Sequence, residues 1–198
     1  MGSDVLKGGF ANAPVDSAHA FRAAMNVMAR PGVVETLRGT QPPAPVGVAA
    51  GALVLTLCDP DTPLHLAGDW DCPQVRAWIS FHVGAPIVSA EKAMFALGDW
   101  KALAPLTRFA IGTPEYPDRS ATLIVECDAP LVEGAVLRGP GIKETAEMAL
   151  PEIAAFQRNA MLFPMGLDFF FTRGAQVQAL PRTTKVSAPL GDQLAEAI

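Results

Sequence analysis

The sequence predicts an α/β fold with three layers, in which a mixed sheet is covered by helices on both faces. Short apolar runs typical of buried strands alternate with longer segments of helical periodicity, without internal repeats. Two strand-like runs near the end, 167–172 and 176–180, predict a β-hairpin around Arg173-Gly174. Because a hairpin is antiparallel, it makes an otherwise parallel sheet mixed.

Length and composition indicate one domain with a large core or a covered apolar surface. The chain has 198 residues, of which 50% are hydrophobic and 18% are charged, which is near the apolar end for a soluble domain. We predict one domain over 1–198, with 1–14 and 188–198 peripheral and a short helix over 191–198. Because excess apolar surface is typical of interfaces, we also predict a homodimer.

The charge and the apolar runs exclude several partners. The formal net charge is −5, whereas nucleic-acid-binding domains are basic. The longest apolar run, 46–58, is too short to cross a bilayer, and the first residues lack the pattern of a signal peptide. We therefore expect no nucleic-acid or membrane contact and a cytoplasmic location.

Cysteines and histidines are few and scattered, and they predict neither a metal site nor a disulfide framework. No CxxC or HExxH motif occurs. We interpret the cysteines as buried or half-buried thiols and the histidines as structural side chains. The residues concerned are Cys58, Cys72, Cys127, His19, His65 and His82.

In the first half of the chain, the element pattern begins with a helix over 17–29 that Asp16 is placed to cap. Phe21, Met25 and Met28 give this helix an apolar face at helical spacing. The following elements are a strand over 33–37, a buried helix over 46–58 that begins near Pro45, a strand over 64–67, a helix over 73–82 capped by Asp71, and short strands over 87–88 and 94–97.

In the second half, Asp99 predicts the cap of a short helix that ends at Leu103. Apolar runs predict strands over 121–126 and 131–137. The stretch 143–149 suits either a helix or a strand. Pro151 begins a helix that extends to about residue 161, ahead of the hairpin.

The turn LRGPGI, which follows the strand over 131–137, is the first candidate for a binding site. Gly139 and Gly141 allow positive φ and close approach of a ligand, while Pro140 fixes φ and lacks an N–H. Arg138 places one guanidinium at the entrance of the turn. Such a turn can bind an anion through its backbone N–H groups. The alternative is a tight loop without a ligand, since Pro and Gly mark turns in general.

The second candidate is Arg182-Thr183-Thr184, which follows the last predicted strand. A planar guanidinium and two hydroxyls suit the oxygens of a phosphate or phosphonate. The alternative is an arginine that ties down loop carbonyls at a strand end. If the strands before Gly139 and Arg182 run in the same direction, both loops lie at one sheet edge. We then expect Arg182, Thr183 and the glycine turn to form one anion site.

His19, Arg22 and His82 are weaker candidates. His19 and Arg22 share a helix face at i and i+3, where they suit either an anion or a solvated polar surface. His82 lies in the last turn of its helix, where the helix dipole favours a cation, and we interpret it as a capping residue. Spacing alone shows no Ser/His/Asp or Cys/His arrangement, so no catalytic residue is predicted.

Eight short motifs follow one another along the chain in this order: DSAHAFRAAM, MARPG, LCDPDTPLHL, FHVGAP, GTPEYP, LRGPGI, FPMGLD and PRTT. This series resembles the PhnH family, a subunit of the bacterial carbon–phosphorus lyase complex, from about residue 16 to residue 186. LRGPGI, FPMGLD and PRTT are specific in combination, although each alone is not.

The resemblance implies a fold similar to the large domain of pyridoxal-phosphate-dependent transferases, without that cofactor. Pyridoxal enzymes need a Schiff-base lysine, and no lysine here stands in a recognisable setting for one. The implied role is in phosphonate catabolism beside sister subunits, supporting formation of a ribose 1-alkylphosphonate 5-triphosphate from ATP and an alkylphosphonate. The resemblance carries over no cofactor and no catalytic residue.

Two functions stay open on these grounds. The first is a subunit of the carbon–phosphorus lyase complex that has no activity alone, with sister subunits and a phosphate or phosphonate ligand as its partners. The second is an independent small-molecule transferase whose anion pocket is built from LRGPGI and PRTT. Turnover by the purified chain alone would favour the second function, and activity only beside sister subunits would favour the first.

Overall fold

The computed structural model describes residues 7–131 and 134–189. The helices are α1 (Ala13–Ala29), α2 (Val48–Leu57), α3 (Pro73–His82), α4 (Trp100–Leu103) and α5 (Ile153–Ala160). The strands are β1 (Glu35–Thr36), β2 (Leu64–Leu66), β3 (Phe95–Asp99), β4 (Thr122–Glu126), β5 (Ala135–Arg138), β6 (Ala146–Met148), β7 (Asp168–Arg173), β8 (Gln176–Leu180) and β9 (Lys185–Ser187). The predicted helix over 191–198 lies outside the described residues.

The main sheet is mixed and contains six strands in the order β1-β8-β7-β4-β3-β2. Strands β2, β3, β4 and β7 are parallel, whereas β8 is antiparallel to β7 and β1 is antiparallel to β8. The predicted hairpin is therefore confirmed as β7–β8, and the mixed character of the sheet with it. Among the described residues, no helix is long and apolar enough to span a membrane.

The central strands are buried on both faces, which explains why their sequences are continuous apolar runs. Successive strand residues point to opposite faces. Phe170 of β7 accordingly packs into the cluster that contains α1, α2 and α3, whereas Phe169 and Phe171 pack into the cluster on the other face. Full burial of each such side chain contributes roughly 1.5–3 kcal/mol, so β7 is a major source of stability for both layers.

On the first face, α2 is the central helix. Its residues from Ala49 to Val54 are all buried, and a helix that is apolar all round is expected to lie inside the protein. The prediction of a buried helix is confirmed, although it begins at Val48 rather than near Pro45.

The start of α1 differs from the prediction. The helix begins at Ala13 with Asn12 as its N-cap. Asp16 lies inside the first turn, and its carboxylate accepts a hydrogen bond of 2.8 Å from the backbone N–H of Asn12. The carboxylate still satisfies an N–H group at the start of the helix, but from within the helix rather than from before it.

The buried face of α1 also differs from the predicted one. Ala20, Ala24 and Val27 are buried, and their small side chains let α1 lie close to α2. Phe21 and Met25, which the sequence placed on the apolar face, are 51% and 57% exposed. Helical spacing could not distinguish the two faces because both are apolar.

The second face carries α4, α5 and a separate three-stranded antiparallel sheet in the order β6-β5-β9. Leu137 of β5, Met148 of β6 and Val186 of β9 pack into the same cluster as Phe156 of α5. The sequence left 143–149 undecided and did not predict β9. The covering layer on this face is therefore partly a sheet, rather than helices alone.

Smaller differences concern short elements. Asp99 caps α4 as predicted, accepting a hydrogen bond of 2.6 Å from the N–H of Ala102. Asp71 does not cap α3, because Cys72 is the N-cap and Asp71 instead binds Arg76. The predicted strand over 87–88 is reduced to a single bridge between Ile87 and Leu64.

Candidate functional site

Arg182 is held by internal partners at the end of β8. Its backbone N–H donates a hydrogen bond of 2.8 Å to the carboxylate of Asp168, and its Nε donates to the same carboxylate at 3.1 Å. Its Nη1 donates to the carbonyl of Pro117 at 2.7 Å, and its Nη2 contacts Ser120 and Asp168. The side chain is only 12% exposed. Each guanidinium nitrogen thus has an acceptor within the protein.

The position of Arg182 follows from the hairpin. Because β8 is antiparallel to β7, the chain that follows β8 returns to the first residue of β7, Asp168, which Arg182 binds. Arg182 therefore lies at the amino-terminal edge of the parallel strands rather than at the carboxyl edge, where open α/β sheets collect ligands. The guanidinium fastens the loop that contains Pro117 and Ser120 to the start of β7.

Thr183 and the Gly139-Pro140-Gly141 turn are neighbours, as the sequence predicted, although the cause is the small sheet. Arg138 of β5 pairs with Lys185 of β9, so the residues on either side of this pair also meet. A Cβ added to Gly139 would lie 3.3 Å from the carbonyl oxygen of Thr183. The structure thus joins the two stretches by their backbones, while the guanidinium of Arg182 is bound elsewhere.

The glycine turn also packs against the end of α1. Gly141 has φ of 79°, and a Cβ placed there would lie 1.8 Å from the carbonyl oxygen of Ala29. This residue needs to be glycine both for its conformation and for its close backbone contact. The turn is therefore fixed between α1 and β9.

Arg138 and Lys185 form an exposed basic pair beside this turn. They are directly opposite in the antiparallel β5–β9 pair, and both are exposed. Within residues 7–131 and 134–189, neither side chain has a hydrogen bond or an ion pair. Their charges are consequently available to an anion. Sequence reasoning missed Lys185 because β9 was not predicted.

His19 and Arg22 lie away from the glycine turn. Both are exposed on α1, and His19 lines a recess of about 270 Å³ with Asp16, Thr36 and Arg38. Ala29, which contacts the turn, is ten residues further along α1 and thus about 15 Å from His19 along the axis. His19 therefore does not contribute to the same site as Arg138.

His82, the last residue of α3, is a packing residue on the first face of the sheet. Its ring lies 5.4 Å from that of Trp78 and 4.8 Å from that of Phe81. A Cβ added to Gly9 would lie 2.6 Å from the imidazole. Its Nε2 is buried and has no hydrogen-bond partner in the described part of the chain.

An open cleft of about 370 Å³ lies at the carboxyl ends of β3 and β4 and was not predicted from the sequence. Glu126 is the last residue of β4, and burial raises the pKa of its carboxyl, although the N–H of Gly47 donates a hydrogen bond of 2.6 Å to it. The available signal was a glutamate that ends an otherwise apolar strand. Among the described residues, no group of three or more His, Cys, Asp or Glu side chains is placed to hold a metal ion.

Comparisons with known proteins bear on the whole chain rather than on one site. Residues 8–187 match the family model of PhnH, described as a bacterial phosphonate metabolism protein. The chain belongs to the PhnH family. The motif-based resemblance is therefore confirmed.

Two relatives of this PhnH-family chain extend the comparison. It is 40% identical over 195 residues to the alpha-D-ribose 1-methylphosphonate 5-triphosphate synthase subunit PhnH of Rhizobium meliloti (strain 1021), covering 93% of this chain and 96% of that one. It is 30% identical over 176 residues to HtxG of Stutzerimonas stutzeri, which carries the provisional name of a C-P lyase subunit protein, covering 85% and 84% of the two chains.

Proposed function

We propose that this chain is a subunit of the carbon–phosphorus lyase machinery that supports synthesis of ribose 1-alkylphosphonate 5-triphosphate from ATP and an alkylphosphonate. The observation that carries the proposal is its relationship to the PhnH subunit of Rhizobium meliloti, with 40% identity over 93% of this chain. Membership of the PhnH family over residues 8–187 supports the same role. Sister subunits of this machinery are then its partners.

A growth experiment tests this proposal directly. A Rhizobium meliloti strain that lacks its own PhnH is supplied with this chain and grown on methylphosphonate as the sole phosphorus source. Restored growth is the expected result, and growth on inorganic phosphate is the control for viability. Failure of growth despite soluble expression and despite rescue by the native PhnH would contradict the proposal.

We propose further that the chain has no activity alone. Arg182, which the sequence predicted as an anion-binding residue, is instead bound by Asp168, Pro117 and Ser120 of the same chain. These contacts support a structural role for Arg182. The alternative, an independent small-molecule transferase, is favoured by one observation, the exposed pair Arg138 and Lys185 beside the glycine turn. Turnover of ATP with methylphosphonate by the purified chain would decide for the alternative.

For the anion site we propose a set centred on that turn. Arg138 and Lys185 supply charge, Gly139 and Gly141 supply backbone N–H groups, and Thr183 supplies a hydroxyl. Arg182 is then a positioning residue, because its backbone N–H and guanidinium fix the chain immediately before Thr183. A phosphate or phosphonate is the ligand that this combination of guanidinium, ammonium and backbone N–H groups suits.

We also propose that the fold is similar to the large domain of pyridoxal-dependent transferases and that the protein nevertheless carries no pyridoxal phosphate. The exposure of all five lysines supports this, since a Schiff-base lysine works inside a pocket. The lysines are Lys7, Lys92, Lys101, Lys143 and Lys185. After incubation with the cofactor and dialysis, we expect no near-visible absorbance. A retained band that is lost on replacing one lysine would overturn the proposal.

We propose, finally, that residues 1–198 form one cytoplasmic domain that associates as a homodimer. Two groups of exposed apolar side chains support association: Phe21 and Met25 on α1, and Met161 and Phe163 after α5. Sedimentation at micromolar concentration is expected to show a dimer. Phe21→Asp and Phe163→Asp then identify which group lies in the interface, because only an interface substitution produces monomer. A wild-type protein that sediments as a monomer would contradict the dimer.

A further inference from the structure

The backbone of residues 8–10, which precedes α1, lies directly across two ring side chains of α3. Trp78 and His82 are about one helical turn apart, and their ring centres are 5.4 Å from each other. A Cβ added to Gly8 would lie 3.5 Å from Nε1 of Trp78. A Cβ added to Gly9 would lie 2.6 Å from Nδ1 of His82, which is too close for any residue but glycine. This segment, here called the strap, therefore covers both rings at close range.

Each of the two covered rings carries a buried nitrogen that has no hydrogen-bond partner. In the part of the chain that the structure describes, neither Nε1 of Trp78 nor Nε2 of His82 is hydrogen-bonded. Trp78 is only 1% exposed, and its indole N–H can act only as a donor. A buried donor without an acceptor has lost its hydrogen bond to water and gained none in return. Closure of the strap is therefore opposed at two neighbouring atoms, and water that reached the rings would relieve that cost.

The strap is anchored through a single carbonyl group. The carbonyl of Gly8 accepts a hydrogen bond of 3.0 Å from the N–H of Gln41, and the hydroxyl of Thr40 donates to the same oxygen. Gly8 has φ of 88°, and a Cβ there would lie 2.1 Å from the carbonyl oxygen of Gln41. Phe10, at the other end of the strap, packs against the core cluster that contains α1, α2 and α3. Because both hydrogen bonds converge on one oxygen, the loss of either weakens the same anchor.

We infer that the strap opens while the rest of the domain stays folded, and that it controls access to an aromatic surface on α3. Segments open locally where few contacts hold them, and the two unpaired nitrogens lower the cost of opening because both gain water as a partner. Phe81 is already 57% exposed, and its ring centre lies 4.8 Å from that of His82. Opening therefore joins Trp78 and His82 to Phe81 as one accessible row of rings. This surface is separate from the proposed anion site, which is built on β5 and β9.

Hydrogen exchange of the Trp78 indole N–H, followed by NMR on the full-length protein, tests the inference. Trp78→Phe identifies the signal. After correction for the intrinsic exchange rates, we expect this N–H to be protected at least about tenfold less than the backbone N–H of Ile79 on the same helix. Both residues are buried, so burial alone predicts no such difference. Protection of the indole N–H equal to that of Ile79 and of the central strand β4 would mean that it exchanges only on global unfolding, and would overturn the inference.

Two variants with opposite expected effects locate the opening at the strap. Thr40→Val keeps the shape but removes the hydroxyl that binds the strap, and is expected to raise the exchange rate of the Trp78 indole N–H about threefold to tenfold while β4 stays protected. His82→Phe removes an unpaired nitrogen, and is expected to slow that exchange about threefold or more. Thr62→Val, which removes a hydroxyl bound to Asp59 instead, is the control. Unchanged exchange of the Trp78 indole N–H in both strap variants would overturn the inference.

Discussion

Arg182 binds Asp168 through both its backbone N–H and its guanidinium, so the chain after β8 is fastened to the first residue of β7. The pair is mostly buried, with 12% and 22% of the two side chains exposed. The same guanidinium holds Pro117 and Ser120. One side chain thus joins the hairpin, the 113–120 loop and the backbone that leads to the proposed anion site.

The first prediction concerns the stability that Arg182 provides. Replacing Arg182 by Ala leaves the partly buried carboxylate of Asp168 without its cation, and we expect the free energy of unfolding to fall by about 3 kcal/mol. Arg182→Lys should recover only part, because an ammonium lacks the planar fork. Urea unfolding measures both variants. Arg76→Ala, which breaks the exposed pair with Asp71, is the matched control. An equal loss in the control would show that burial of Arg182 is irrelevant.

The second prediction concerns the basic pair beside the glycine turn. We expect Arg138→Ala and Lys185→Ala each to weaken binding of pyrophosphate or methylphosphonate by about tenfold, since one charge-assisted hydrogen bond contributes roughly 1.5–3 kcal/mol. Added salt should weaken wild-type binding further, because both side chains are exposed. Calorimetry is performed with the protein alone and with the assembled complex.

Lys92→Ala is the control for net charge, because it removes an exposed lysine that is distant in sequence from Arg138 and Lys185. It should leave the affinity for pyrophosphate unchanged. If neither Arg138→Ala nor Lys185→Ala alters the affinity in either setting, then LRGPGI is a structural turn and the proposed anion site does not exist.

The sequence predicted most of the elements because their local signals agree with their burial. The buried α2, the hairpin β7–β8 and the cap Asp99 each follow from a short stretch of chain. The face of α1 could not be predicted in this way. Phe21 and Met25 look like core residues, yet the close contact with α2 requires the small side chains of Ala20 and Ala24.

The sites were harder to predict because their partners are distant in sequence. Asp168 is 14 residues from Arg182, and Ser120 is 62 residues away. Gly47 and Glu126 are 79 residues apart. Only the packing of the sheet brings such residues together. The meeting of Thr183 with the glycine turn was predicted, but from the edge of one sheet, whereas the structure achieves it through the β5–β9 pair.

The third prediction concerns Gly141. An alanine here would have a strained positive φ and a Cβ 1.8 Å from the carbonyl oxygen of Ala29. We expect Gly141→Ala to lower the free energy of unfolding by roughly 2 kcal/mol or more. Gly174→Ala is the control, because Gly174 also has a positive φ but no heavy atom lies within 4 Å of the added Cβ. It should cost only the backbone strain, about 1 kcal/mol. Thermal unfolding that shows equal losses would refute the close contact.

The last prediction concerns the titration of Glu126. Burial raises the pKa of its carboxyl above the ordinary value of 4.5, so the folded protein binds this proton more tightly than the unfolded chain does. At pH values between 4.5 and the raised pKa, the folded state therefore holds more protons than the unfolded chain. The free energy of unfolding falls as the pH rises through this range. Well below pH 4.5 both states are protonated, so the stabilising contribution of the proton is fully present there and is lost as the pH rises through the folded pKa.

Glu126→Gln removes this titration while its amide oxygen still accepts a hydrogen bond from Gly47. The difference in unfolding free energy between variant and wild type should therefore shift in favour of the variant from pH 4 to pH 8, as measured by urea unfolding at several pH values. Glu115→Gln, at an exposed position, should show no such shift. A difference for Glu126→Gln that stays constant across this range would mean that the carboxyl of Glu126 titrates in the folded protein as it does in the unfolded chain, and that burial beside Gly47 does not disfavour its charge.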